Sequence, residues 1–203
     1  MRKTGHAAGS NTTCFLQLST HLLFGAATAW AGLTLPVAAQ SMDPGWGVYG
    51  QAGTGFHSER NTDDVSVGFM APLLQGRDWW NGKLSAHWDA SLGRWRASAI
   101  GGGKSTYSQL SLIPTLRYRI DGGQSAWFID AGLGLSVLDR VYATPDRTFS
   151  TRLNFSEVLA VGRNFGAQGQ YEGALVLQHF SNAGIKEPNP GENFLQFRFA
   201  LRF

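Results

Sequence analysis

The stretch "LQHFSNAGIKEPNPGEN" near the C-terminus gathers His179, Ser181, Asn182 and Glu192 into one short run. A histidine and a serine two residues apart on an extended backbone share a face and lie within reach of each other. The imidazole can then take the hydroxyl proton as the serine oxygen attacks an ester carbonyl. That chemistry needs an acid or amide behind the imidazole to fix its tautomer, and hydrogen-bond donors ahead of it for the oxyanion. Asn182 and the backbone amides of "NAG" are candidates for the donors. Spacing alone is a weak signal, because His-x-Ser is common and also fits a polar rim.

The elements around this run alternate with a period of two, not 3.6. In "NFLQFRFALRF", Leu195, Phe197, Phe199, Leu201 and Phe203 share one face, while Gln196, Arg198, Ala200 and Arg202 share the other. "AWFIDAGLGLSVL", "KLSAHWDASL" and "LSLIPTLRYRI" repeat the pattern, with Asp130, His87, Asp89, Arg117 and Arg119 opposite the apolar face. Arg152, Arg198 and Arg202 are assigned to that same polar face. Eight such segments are expected, at 45–56, 63–73, 82–95, 107–120, 125–138, 149–162, 168–181 and 192–203, separated by turn signals such as "NTDD", "DGGQ" and "TPDR". The sixth is irregular, since its apolar series reaches Glu157 between Phe155 and Leu159, and a bulge there would repair it.

Eight strands of about ten residues suit an all-β fold, an eight-stranded antiparallel transmembrane β-barrel of the outer membrane. A lipocalin-like barrel has the same strand count but reverses the faces. Membrane is favoured by the aromatic series ending at Phe203, by Trp and Tyr near strand ends, and by a secretory signal. The apolar region "HLLFGAATAWAGLTLP", preceded by Arg2 and Lys3 and followed by "VAAQ", reads as a signal peptide over residues 1–39, cut after Ala39. The single barrel domain is then residues 40–203.

Cleavage changes the charge reading. The 1–39 segment holds two of the 17 Lys and Arg and none of the 14 Asp and Glu, so the remainder is nearly neutral. No basic cluster with interleaved aromatics points to nucleic acid. The only cysteine, Cys14, leaves with the signal, which excludes a disulfide framework or cysteine nucleophile in the mature chain. The histidines are dispersed, and neither a metal nor a cofactor is expected.

Within this frame the polar run is misplaced. Following the odd parity of Tyr171, Leu175 and Leu177 puts His179 and Ser181 on the lipid-facing side, where polar groups are expensive without a purpose.

The run "HFSNAGIKEPNPGEN", followed by the last strand, resembles the lipid A 3-O-deacylase family, PagL. The resemblance implies a serine esterase on the outside of an outer-membrane barrel, acting on the acyl chain ester-linked at the 3 position of lipid A. It implies His179 as base, Ser181 as nucleophile, and Asn182 with the Gly184 amide as oxyanion hole. The implied partners are lipopolysaccharide and outer-membrane lipids, with a homodimer left open. The family has a Glu as third member, and gapless counting puts Asn193 there, with Glu192 one position earlier. Strand parity also favours Asn193, but only a carboxylate gives imidazolium a full opposite charge. Glu192, re-aimed by a bulge or loop, is therefore the expected third member, with Asn193 the alternative.

Other signals are structural. "GGGKST" has Ser98 where a phosphate loop needs its first Gly, and reads as a hairpin tip. His87 and Asp89 read as part of an ion network inside the barrel. The rival functions are a non-enzymatic barrel for adhesion or envelope stability, which leaves "HFSNAG" unexplained, and a lipid A acyltransferase.

Overall fold

The structure is a computed structural model and describes residues 45–56 and 62–203. The signal expected over residues 1–39 lies outside the described residues. Among the described residues eight strands form: β1 (Gly47–Gly55), β2 (Asp63–Trp79), β3 (Gly82–Ser98), β4 (Lys104–Arg119), β5 (Trp127–Leu138), β6 (Leu153–Phe165), β7 (Tyr171–Ser181) and β8 (Glu192–Arg202). Each pairs antiparallel with its chain neighbours, and β1 closes on β8, with Gly47 opposite Arg202 and Gly55 opposite Phe194. Closure leaves no edge, the condition for a sheet to stand in lipid where nothing else can satisfy its N–H and C=O groups.

The expected segments are all present. β2 runs further than its alternation suggested, through register shifts between Pro72 and Leu74 and between Leu74 and Arg77. Pro72 has no N–H to give the ladder, so a shift beside it loses little.

Side chains sort as the period of two requires. Val65, Val67, Leu110, Leu112, Leu133, Leu135, Leu159, Leu175, Phe197 and Phe199 are exposed on the outer wall. Inside, Arg117 bonds Asp130 through Nε at 2.7 Å and also contacts Glu172, while Arg198 holds Asp89 at 2.7 Å and Gln51 at 2.7 Å. Tyr49 donates to Asp89 at 2.5 Å. Asp89 is thus committed to Tyr49 and Arg198. His87 beside it is buried with neither ring nitrogen bonded, as a lumenal residue and not as half of an acid–base pair.

Two expectations are corrected. Arg152 is not lumenal: it precedes β6, is exposed, and donates from Nε to the Leu138 carbonyl at 2.9 Å. β6 carries no bulge at Glu157, because its pairing runs unbroken with both β5 and β7. Glu157 therefore keeps the outward parity of Phe155 and Leu159.

The two barrel ends differ. The end that holds both the start of β1 and the finish of β8 has short connections, such as residues 80–81 and 166–170, and a cluster of aromatics. Trp79 stacks on Trp80 at 4.4 Å and meets Tyr118 edge-on at 5.9 Å, while Trp46 contacts Phe69 at 5.2 Å. The opposite end has the longer connections, 139–152 and 182–191. Short turns face the periplasm and long loops face the exterior in such barrels, so the 182–191 loop lies at the cell-surface end. There the 139–152 connection sends Tyr142 and Phe149 into the mouth, where they pack with Trp95, Tyr107, Phe180 and Phe194 into a buried aromatic plug.

Candidate active site

β7 places His179 and Ser181 two residues apart on its outward side, in the last turn of pleat before the surface loop. The neighbouring strand β8 begins at Glu192, and its register sets Asn193 directly opposite His179. The result is a hydrogen bond of 2.7 Å between His179 Nδ1 and Asn193 Oδ1. With the amide oxygen as acceptor, Nδ1 carries the proton and Nε2 keeps its lone pair, the tautomer a general base requires. His179, Ser181 and Asn193 are all partly exposed, as residues at a lipid-facing reaction site must be.

Glu192 does not turn toward the imidazole. Its side chain points into the lumen and is fully buried, and its Oε2 accepts from the Tyr142 hydroxyl at 2.9 Å. Tyr142 in turn meets Thr62 Oγ1 at 2.6 Å. Burial, and then the adjacent Glu192 carboxylate, hold the Tyr142 hydroxyl well above its ordinary pKa, so it stays a donor. The reason is the period of two: β8 pairs without a bulge from its first residue, so adjacent residues 192 and 193 face opposite ways. The geometry therefore joins His179 to Asn193, leaves Ser181 two residues further along the same face without a hydrogen bond to the imidazole, and separates Glu192 from all three.

Asn182 and Gly184 form the turn that follows the serine. Ala183 and Gly184 have φ of 54° and 74°, and Ile185 N–H donates to the Asn182 carbonyl at 3.1 Å, the marks of a type I′ turn. The buried Asn182 side chain binds Ser150 Oγ at 2.9 Å and the Lys186 carbonyl at 2.7 Å through Nδ2, and its Oδ1 accepts from the Gly184 amide at 3.0 Å. The two expected oxyanion donors are thus bonded, Gly184 to Asn182 itself. Asn182 braces the loop against the 139–152 connection in this state.

Two residues that sequence reasoning passed over complete the surroundings. Gly191, at φ +65°, comes so close that an added Cβ would sit 2.8 Å from His179 Cε1. A lone glycine before a strand gives no sequence signal of this. Glu157 stands directly opposite His179 on the β6 side. Its signal was present, as the break in parity that a bulge was expected to absorb.

Glu157, His179 and Asn193 line an open cleft of about 690 Å³ on the outer wall, together with Pro114 and Leu116 of β4, Ala131 and Leu133 of β5, and Leu159 and Leu177. Two of its lining residues, Ala131 and Gly132, are small. Apolar walls leading to a His–Ser pair are the shape an acyl ester fits.

The profile of the family described as lipid A 3-O-deacylase (PagL) matches residues 63–202. "Lipid A deacylase PagL" of Pseudomonas aeruginosa is 34% identical over 118 residues, spanning 57% of this chain and 65% of that protein. "Lipid A deacylase PagL" of Bordetella bronchiseptica is 29% identical over 169 residues, 81% of this chain and 88% of that protein. The crystal structure of the outer membrane enzyme PagL superposes with a TM-score of 0.63 at 23% identity, covering 77% of this chain and 99% of that one, which shows the shared barrel. From residue 63 to the last strand, the chain therefore belongs to the lipid A 3-O-deacylase (PagL) family.

Proposed function

We propose that this protein is an outer-membrane serine esterase that hydrolyses the acyl chain ester-linked at the 3 position of lipid A. The observation that carries the mechanism is the 2.7 Å bond from His179 Nδ1 to Asn193 Oδ1, on the lipid side of the barrel and two residues from Ser181. A purely structural barrel has no use for an oriented imidazole facing lipid. Residues 1–39 act as the export signal in this reading.

The acyl chain lies along the cleft from Leu116 and Ala131 to Leu177, and its ester carbonyl reaches Ser181. The Ser181 oxygen attacks that carbon as His179 Nε2 takes the hydroxyl proton, and Asn193 keeps the ring from flipping. Collapse of the tetrahedral adduct breaks the bond to the sugar oxygen, which leaves with the proton from the imidazolium. Water, deprotonated by His179, then attacks the Ser181 ester and releases the fatty acid. Because the Gly184 amide is bonded to Asn182 Oδ1, the oxyanion hole forms only when the 182–184 turn opens on the bound ester. Asn193 orients the ring but brings no charge.

The test is mass spectrometry of lipid A from envelopes of cells expressing the protein or Ser181→Ala. The expected result is loss of one hydroxyacyl mass from the 3 position with the parent chain alone. Identical lipid A in both would refute the assignment.

A further inference from the structure

We propose that Glu157 on β6 is the charge partner of the His179 imidazolium, supplying from one side of the ring the carboxylate that Asn193 does not supply from the other. This deepens the reading of His179 as general base and rests on it. β6 and β7 pair in unbroken register, with Glu157 directly opposite His179, which sets their Cβ atoms at about 4.5–5.5 Å. Both side chains line the same outer cleft. The row reads Leu133, Glu157, His179, Asn193 across β5 to β8, so His179 is the one polar cross-strand neighbour Glu157 has.

Position excludes a rim role. Glu157 is four residues in from the upper end of β6, roughly 13 Å along the strand at about 3.3 Å per residue. Its outward neighbours along β6, Phe155 and Leu159, are apolar. An ionisable group among lipid-facing residues is costly unless it serves a partner. Among the described residues no ion pair to Glu157 is formed, and the ring Nδ1 is already taken by Asn193. Glu157 therefore acts through the field across the cleft, where apolar walls keep the local dielectric low. Other charged groups do not take this place. β8 turns Glu192 inward, Arg147 is bonded to the Gly191 carbonyl at 2.7 Å, and Lys186 and Glu187 stand exposed on the loop.

Glu157 is thus a positioning residue acting on the imidazole, and Glu157→Gln removes its charge at constant shape. In the detergent-solubilised barrel, turnover on lipid A should fall about tenfold or more in this variant, in kcat and not in KM, since the charge serves the imidazolium that forms only as the reaction proceeds. Asn193→Glu added to Glu157→Gln should restore turnover to within about threefold. Unchanged turnover, a loss confined to KM, or a loss that Asn193→Glu does not restore would overturn the proposal. A parent protein that releases no fatty acid would instead refute the esterase reading, and the proposal with it.

Discussion

Inside the barrel, Arg117 is held by Asp130 and Glu172, and Arg198 by Asp89 and Gln51, so each charge meets an opposite charge or an amide. On the outer wall, His179 has one bond, to Asn193, and Glu157 has no ion pair among the described residues. These lumenal ion pairs are surrounded by protein, and even His87, whose ring nitrogens are unbonded, is sealed from any substrate. The outer groups are open on one side to whatever occupies the cleft. The residue types are nearly the same in both places, and what separates structural from chemical use is whether unspent bonding capacity is open to a ligand. Glu192 and Asn193 show this within two residues, since the first is spent on Tyr142 and the second holds the His179 imidazole.

Substitutions at the two places should fail differently. The largest effect is expected from Ser181→Ala and His179→Ala, each lowering fatty-acid release by about 10³-fold or more. Both variants should keep the heat-modifiable gel mobility of a folded barrel. Next, Arg117→Met should destabilise the barrel by about 3–5 kcal/mol by leaving Asp130 without its ion pair, while Glu172 keeps Arg202. Denaturant unfolding in detergent would measure this, and activity of the folded fraction should stay near that of the parent. If Arg117→Met abolished turnover while leaving stability intact, the division between lumen and wall would break down.

Asn193→Ala should lower turnover by about tenfold to a hundredfold, because the ring loses the acceptor that fixes its tautomer. Glu192→Gln should leave turnover nearly unchanged and instead lower stability by about 1–3 kcal/mol through its bond to Tyr142. Paired measurements of release and unfolding on these two adjacent variants would sharpen the comparison, and the reverse order would return Glu192 to the reacting group. The smallest effect is expected from Gly191→Ala, about tenfold or less on turnover, since its new Cβ pushes on His179 Cε1 at a backbone angle alanine disfavours.

The strands were legible because a closed barrel imposes its period of two on the sequence directly, down to the inward Asp130 and Arg198. Parity also located Asn193 beside His179. It was overridden by the chemical preference for a carboxylate, and Glu192 turns inward because β8 starts in register without the bulge that would re-aim it. Glu157 was visible as a break in an apolar series, yet alternation cannot distinguish a bulge from a charge placed toward lipid. Asn182 was illegible in another way. Its bonds to Ser150 and Lys186 exist only once two loops distant in sequence meet at the barrel mouth. Arg152 continued the polar parity on paper, but β6 begins only after it.

If Ser181, on the lipid face, is the nucleophile activated by a His179 that Asn193 holds, a long-chain alkyl fluorophosphonate should label the purified barrel there, as read by peptide mass spectrometry. One adduct is expected, on Ser181, strongly reduced in His179→Ala and partly reduced in Asn193→Ala. A protein that deacylates lipid A but carries the adduct on another residue, or labels equally well without His179, would contradict the assignment.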